Sequence, residues 1–430
     1  MVVHREIVDQ VSGWLTLYDD GFVDRTWTGP PQFKFMSDAV PPHHHFIDGV
    51  AVQDLFINDD DDGLRVRVYL PEKPEEKKLP IILHFHGGGF CISEADWFMY
   101  YNIYTRLARE AGAIVVSTYL RRAPEHRLPA AIDDGYATLL WLQDLANHKT
   151  HQPWLSSKGD FNRVFLIGDS SGGNIVHQVA KKAAGENLHP LKLAGAIPIH
   201  PGFLRSVRSK SELENPQTPF LTLDMLDKFL KLGLPEGSTK DHPITCPMAE
   251  PLPELDFPPY LLCVAEQDLV IETEMEFYEA MKKGGKKVEL MVSDGVGHSF
   301  YLNKIAIDVD PKTSEQTDNV RIYTPEVPHA QKLPIILHFH GGGFCISQPD
   351  WFMYYNLYTR LAREAGAIVV STYLRLAPEH RLPAAVDDAY YTPPFSGFKT
   401  WQTVKPTNHG CHLRETLSVF SSLETAPAGT

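Results

Sequence analysis

The feature that most constrains the fold is the stretch from Arg163 to Asn174, where an apolar run ends in Gly-Asp-Ser-Ser-Gly at 168–172. Val164 to Ile167 is short, β-branched and apolar without alternation, which predicts a buried parallel strand. Apolar residues then recur at helical spacing from Ile175 to Ala183 and predict an amphipathic helix. Glycines relieve the crowding of so sharp a turn. We therefore expect a nucleophile elbow with Ser170 exposed at its tip.

Composition and charge exclude several classes of function. The 430 residues carry a net charge of -14, which argues against nucleic acid or an anionic membrane as a partner. The five cysteines are odd in number and unclustered, as expected of reduced core thiols. The N-terminus lacks an unbroken apolar signal region, and no later run is long enough to span a membrane. We expect a cytoplasmic protein, with nuclear entry left open and either a monomeric or a dimeric state.

Apolar strands alternate with helical patterns along the chain. This order predicts an α/β fold, in which a mostly parallel central sheet is covered by helices on both faces. An antiparallel strand is expected from Leu64 to Leu70. The proline-flanked segment from about 203 to 247, with a helix near 221–232, is expected to form a lid at the carboxyl edge of the sheet.

Three local patterns complete the expected structure. Apolar residues from Ile7 to Leu15 recur at helical spacing, so the first twenty residues are expected to form a capping helix. Thr273 and Glu276 are spaced as a capping box at the start of another helix. The adjacent histidines 43–45 are expected in a loop, where they would point in different directions, so neither a metal nor a cofactor is expected.

A glycine cluster follows the strand expected at 80–86. Three glycines in a row, Gly87 to Gly89, let the backbone approach a ligand closely. We assign the N–H groups of Gly88, Gly89 and Ser171 as an oxyanion hole, because donors must point to where negative charge develops. His86 and Gly87 are expected to support this loop, and Asp169 to support the elbow rather than react.

A serine nucleophile requires a base within hydrogen-bond reach, itself oriented by a third group. Ser170, Asp268 and His298 each follow a predicted strand, and they occur in the order Ser, Asp, His that α/β hydrolases use. His298 would act as base and acid, and Asp268 would orient it. Glu266 and Glu272 remain substitutes for Asp268, and Gly297 is expected to let the histidine loop turn tightly.

The chain repeats part of itself. Residues 332–390 copy 78–136 almost verbatim, with weaker similarity from about 316, so 316–391 forms a truncated repeat of 62–137. The expected domains are therefore a hydrolase domain at 1–315, this partial duplicate without a complete fold of its own, and an unrelated, disordered tail at 392–430. The copy lacks a Gly-x-Ser-x-Gly motif and cannot form a second active site. An aberrant join of tandem gene copies, a domain swap and a regulatory module remain open.

Taken together, these motifs resemble the hormone-sensitive-lipase-like α/β hydrolases, specifically plant carboxylesterases. The resemblance covers roughly residues 1–311 and rests on the motifs at 86–90, 119–130 and 168–173 together with Asp268 and His298. It implies a carboxylesterase that acts on a small-molecule ester through an acyl-enzyme. Two alternatives remain open. The gibberellin receptor resembles these esterases but binds its hormone without hydrolysis and lacks the catalytic histidine, and dehydratases share the same lineage.

Overall fold

The structure is a computed structural model that describes residues 5–57, 63–72, 78–218, 220–249, 254–302, 320–323, 333–341, 352–375, 377 and 385. It divides into two compact units, Met1–Asn303 and Lys304–Thr430, and each is described by itself. The tail predicted at 392–430 lies outside the described residues.

A twisted sheet forms the centre of the first unit, and nine of its strands lie within the described residues. These strands are β4 (His43–Ile47), β5 (Val50–Phe56), β6 (Arg65–Pro71), β7 (Leu79–Phe85), β8 (Ile114–Thr118), β9 (Gly159–Asp169), β10 (Leu193–Ile199), β11 (Tyr260–Ala265) and β12 (Val288–Ser293). Their order is β12-β11-β10-β9-β7-β8-β6-β5-β4. Neighbours from β12 to β8 are parallel, and those from β8 to β4 are antiparallel. The mostly parallel α/β sheet is confirmed.

Helices cover both faces of this sheet. Alternate residues of each central strand point to opposite sides, so an apolar strand presents two faces that must be buried. The helices are α1 (Phe98–Ala111), α2 (Ala130–Ala146), α3 (Pro153–Lys158), α4 (Ser171–Ala183), α5 (Lys210–Glu214), α6 (Leu223–Gly233) and α7 (Ile271–Lys283). Buried residues of α2, α4 and α7 share one apolar cluster with Ile81 and Leu83 of β7. Ile82 joins a second cluster with α1. No helix in the described part of the chain is both long and apolar enough to cross a bilayer.

The helix expected within the first twenty residues is wrong. The segment forms a small antiparallel sheet of β1 (Ile7–Val11), β2 (Leu15–Tyr18) and β3 (Val23–Asp24). A turn at Gly13, whose φ is 77°, separates the first two strands, and a left-handed residue there ends any helix. A 3-10 helix (Pro31–Ser37) follows. Trp14 is buried and stacks on Trp97, so this N-terminal cap still covers the first unit through apolar contacts.

Two further local expectations are corrected. The histidines 43–45 lie on the edge strand β4 and not in a loop. The helix near Thr273 begins at Ile271, with Val270 as its N-cap and without a side-chain capping bond. Thr273 therefore lies inside the helix and not at its N-cap, and its hydroxyl lies 2.6 Å from Phe203 O and 2.8 Å from Val270 O, so no capping box with Glu276 forms.

The second unit repeats the local structure of its parent sequence. β13 (Val320–Tyr323), β15 (Ile368–Thr372) and β14 (Ile335–His338) form a sheet in that order, and α8 (Phe352–Ala365) lies between β14 and β15 in the chain. The Tyr358 hydroxyl lies 2.7 Å from His338 Nδ1 and accepts from Ser371 at 2.9 Å. The first unit has the same network at His84, Tyr104 and Ser117.

Candidate active site

The turn between β9 and α4 presents Ser170 at the carboxyl edge of the sheet. Ser170 has φ 51° and ψ -125°, a backbone conformation that non-glycine residues rarely adopt and that persists only when its surroundings enforce it. Its own N–H donates to Ile199 O at 2.9 Å, and its carbonyl accepts from Gly173 N at 2.8 Å. A Cβ on Gly172 would lie 2.0 Å from Phe85 O, so this turn requires glycine there.

Asp268 and His298 reach Ser170 from the ends of β11 and β12. His298 Nε2 lies 2.9 Å from Ser170 Oγ, and His298 Nδ1 lies 2.6 Å from Asp268 Oδ2. Because an ionised carboxylate only accepts, Nδ1 carries the ring proton and Nε2 is left to accept from the serine hydroxyl. The structure thus brings together the three side chains that the sequence singled out.

The environment of Asp268 favours its charged form. The side chain is 0% exposed, and its Oδ1 accepts from Val270 N at 3.1 Å. Burial by itself would raise the pKa of Asp268, but the His298 imidazole and its hydrogen bond hold that pKa below the usual value. A charged carboxylate at this position can stabilise an imidazolium.

The two substitute acids have other roles in the structure. Glu266 accepts from Gly295 N at 2.7 Å, and Glu272 accepts from Lys210 N at 2.7 Å. Glu266 therefore shapes the histidine loop from outside the Ser170 contact. The turn in this loop uses left-handed backbone at Gly295, with φ 71°, and at Ser299, with φ 51°. Gly297, expected in that role, is not among the described residues with positive φ.

The glycine loop lies directly beside the elbow. Gly88 has φ 104° and Gly89 has φ 60°, and within the described residues neither N–H donates to the protein. The N–H of Ser171 belongs to the first turn of α4, where no intrahelical acceptor exists. A Cβ on Gly87 would lie 2.6 Å from Asp169 Oδ2 and 3.0 Å from Ser170 Cβ, which shows how closely the loop approaches the elbow.

Buried polar groups surround this loop. His86 Nδ1 lies 2.9 Å from Gly87 O, and burial lowers the pKa of His86 to about 4, so its ring is neutral. Burial raises the pKa of Asp169 to about 7, although a hydrogen bond from Tyr100 and the nearby His298 imidazole oppose the rise. His200 Nδ1 accepts from Ser299 N at 2.8 Å, and burial lowers the pKa of His200 to about 4.

Sequence reasoning missed Tyr100, His200 and Arg25. The Arg25 side chain extends from the N-terminal cap and donates to Cys91 O at 2.7 Å and to Ala123 O at 2.9 Å. It also forms an ion pair with Glu125. Tyr100 lies on the buried face of α1. These contacts join positions far apart in the chain, and no local pattern signals them.

A cavity of about 100 Å³ opens onto Ser170. Its lining is mainly apolar and includes residues of the N-terminal cap, of the predicted lid and of the loop after β12: Trp14, Met36, Ile92, Met99, Leu204, Phe220, Leu221, Leu226, Phe229, Leu230 and Leu302. Among the described lining residues, Asp169 alone has a carboxylate and His298 alone has an imidazole. The cavity therefore suits a neutral, apolar group next to the serine.

One group of side chains has the composition of a metal site. The ligand atoms of His200, Asp268 and His298 lie within 4.8 Å of one another. The Nδ1 atoms of both histidines are already hydrogen-bonded, one to Ser299 N and the other to Asp268. The arrangement is thus accounted for by hydrogen bonds within the chain.

The sequence is similar to one family model and to several named plant proteins. The family described as the alpha/beta hydrolase fold matches residues 82–302 and 336–392. A probable carboxylesterase 6 of Arabidopsis thaliana is 35% identical over 305 residues, which are 70% of this chain and 86% of the relative. A gibberellin receptor of the same plant is 36% identical over 286 residues, covering 63% of this chain and 80% of the receptor.

Solved structures give a consistent result. A thermostable carboxylesterase cloned from a metagenomic library superposes with a TM-score of 0.51 at 27% identity. The match covers 61% of this chain and 84% of the esterase.

Proposed function

Because the chain belongs to the α/β-hydrolase fold family and has a probable plant carboxylesterase among its relatives, we propose that it is a serine carboxylesterase with Ser170 as nucleophile. The observation that carries this proposal is the distance of 2.9 Å between His298 Nε2 and Ser170 Oγ, with Asp268 at the opposite nitrogen of the ring. Such a pair of contacts activates a hydroxyl that is otherwise a weak nucleophile.

The proposed reaction has two halves. Ser170 Oγ attacks the ester carbonyl while His298 Nε2 accepts the hydroxyl proton, and the resulting oxyanion accepts from the N–H groups of Gly88, Gly89 and Ser171. His298 then donates the proton to the leaving alcohol, and the acyl group stays on Ser170. A water molecule, deprotonated by His298, attacks the acyl-enzyme and releases the carboxylic acid.

The apolar cavity favours uncharged esters over anionic ones. A carboxylate in the substrate would be desolvated beside Leu226, Phe229 and Leu230, with no lysine or arginine among the described lining residues to pair with it. We therefore propose small, neutral carboxylic esters as the substrate class.

Hormone binding without hydrolysis is a second candidate, favoured by the similarity to a gibberellin receptor. The presence of His298 next to Ser170 argues against it, since a pure binder has no need of a base and an orienting acid. A dehydratase of the same lineage is the other alternative that the sequence leaves open.

Hydrolysis of p-nitrophenyl acetate and butyrate by the full chain tests the proposal. We expect turnover by the wild type, loss of turnover in Ser170→Ala and an unchanged rate in Ser206→Ala, which makes the same atomic change at an exposed serine. A fluorophosphonate probe should form its adduct at Ser170. No turnover together with tight binding of a plant hormone would establish the receptor alternative.

We place this activity in the first unit and in the cytoplasm. Fractionation of plant cells that express the chain would test the location, and esterase activity in the plastid fraction would contradict it.

A further inference from the structure

We infer that Tyr100, Asp169 and Ser171 are positioning residues that hold the glycine loop at a fixed distance from Ser170 through two hydrogen-bonded bridges. The inference rests on the proposed esterase function, because the loop supplies two of the three oxyanion donors. The bridges begin at the residues flanking Gly88 and Gly89 and end at the residues flanking the nucleophile.

The first bridge lies on the N-terminal side of the loop. Gly87 N donates to the Tyr100 hydroxyl oxygen at 2.8 Å, and the Tyr100 hydroxyl donates to Asp169 Oδ2 at 2.9 Å. A phenol has a single proton, so its donation to the carboxylate leaves the oxygen free to accept from Gly87. Tyr100 and Asp169 are each 1% exposed, and water does not compete for these bonds.

The second bridge lies on the C-terminal side. Phe90 N donates to Ser171 Oγ at 3.2 Å, and Ser171 is 3% exposed. The hydroxyl of Ser171 thus acts on the loop, while its backbone N–H is the third proposed oxyanion donor. One residue therefore contributes a donor and also fixes the position of the other two.

The loop needs such external contacts. Four residues have left-handed backbone: Gly88, Gly89, Phe90 with φ 66° and Ser93 with φ 73°. Non-glycine residues in this region are strained and persist only where the surroundings over-determine them. Removing a bridge should let the loop relax and turn its N–H groups away from the oxyanion.

The second unit offers an internal comparison. Gly341 N donates to the Tyr354 hydroxyl at 3.0 Å, and His340 Nδ1 lies 3.0 Å from Gly341 O, as in the parent sequence. The repeat has no Gly-x-Ser-x-Gly motif. The glycine–tyrosine bond is therefore a product of local sequence, and Asp169 is what connects it to a nucleophile in the first unit.

Kinetics of full-length variants test the inference. We compare the wild type with Tyr100→Phe, Ser171→Ala and the double variant, and use Tyr354→Phe as the matched control. Each single substitution should lower kcat about 10-fold, less than the 10²- to 10³-fold loss of an entire oxyanion donor. KM should stay within about twofold, because the bridges act on the transition state rather than on substrate binding.

An inhibitor provides a readout that a structural role alone would not change. A trifluoromethyl ketone forms a tetrahedral oxyanion on Ser170, so its Ki should rise by the same factor by which kcat falls. Asp169→Asn retains an acceptor for Tyr100 and should lose less activity than Tyr100→Phe. Asp169→Ala removes that acceptor and tests the first bridge if Tyr100→Phe does not fold.

The outcomes separate this inference from the proposed function. A wild type without turnover and without a fluorophosphonate adduct rejects both. An active wild type whose variants keep kcat and Ki, even with lowered thermal stability, rejects the bridges alone. An equal loss of activity in Tyr354→Phe would also overturn the inference.

Discussion

Replacement of Asp268 by asparagine should reverse the hydrogen-bonding role of His298. Val270 N donates to Asp268 Oδ1 at 3.1 Å, so the oxygen of the new amide is expected to remain at that site. The NH₂ group must then face His298 Nδ1, which Asp268 Oδ2 contacts at 2.6 Å in the wild type. Nδ1 becomes an acceptor, the ring proton moves to Nε2, and Nε2 can no longer accept from Ser170.

The size of this effect follows from two contributions. If the ring proton returns to Nδ1, it faces the NH₂ group of the asparagine, and one of these two buried donors is left without an acceptor. An unsatisfied buried donor costs about 1–3 kcal/mol. The imidazolium formed during attack also loses a charge-assisted hydrogen bond of about 1.5–3 kcal/mol. Together they raise the barrier by about 2.5–6 kcal/mol, and at about 1.4 kcal/mol per decade kcat should fall by about 10²- to 10⁴-fold.

Initial rates with p-nitrophenyl butyrate and the second-order rate of fluorophosphonate labelling measure this loss. The melting temperature should fall modestly, because the folded state favours the charged form of Asp268, while the amide keeps the shape of the carboxylate. Glu266→Gln is the matched control, since it neutralises a nearby acid that contacts Gly295 and not the histidine. A rate within tenfold of the wild type in Asp268→Asn, or a larger loss in Glu266→Gln, would refute this assignment of the orienting acid.

Three further predictions concern the surroundings of the site. Burial raises the pKa of Asp169 from 3.8 to about 7, so the stability this group contributes is present below pH 3.8 and lost as pH rises to about 7. The melting temperature of Asp169→Asn should therefore rise relative to the wild type across that window, and a constant difference would contradict the shift. Gly89→Ala would place a Cβ 2.2 Å from Phe229 Cγ and should lower kcat by about 10²-fold. Gly237→Ala, also left-handed but with no heavy atom within 4 Å of the new Cβ, should retain activity. Arg25→Ala leaves two backbone carbonyls without their donor and should cost about 1–3 kcal/mol in urea unfolding, whereas an unchanged midpoint would exclude the role of this side chain.

The sheet and the location of the site could be predicted because both follow from local chemistry. Short apolar segments between helical patterns fix a parallel sheet, and parallel strands share one carboxyl edge. Ser170, Asp268 and His298 each follow such a strand, so their convergence could be expected before their distances were known.

The N-terminal cap shows where periodicity fails. Val11 and Leu15 lie four residues apart, as on one face of a helix, yet they pair directly across a hairpin. A tight turn brings residues at this spacing together as effectively as a helical turn does. Only the left-handed residue at Gly13 and the β-branched composition separate the two possibilities, and both signals are weak.

The contacts of Tyr100 could not be predicted for a different reason. Its partners are Gly87, in the preceding loop, and Asp169, on a strand nearly seventy residues later. A tyrosine on the buried face of a helix satisfies the apolar pattern whether or not its hydroxyl has a function. The pattern records burial and does not record what the polar atom meets.

His298 depends on the outermost parallel strand of the sheet. β12 pairs with β11 along one side, its residues are partly or fully exposed, and the histidine loop follows directly after it. Fraying of a sheet margin requires less free energy than global unfolding. Mild denaturant should therefore inactivate the protein reversibly while Trp97, Trp141 and Trp154, which lie outside β12, keep their native fluorescence, so that inactivation precedes global unfolding.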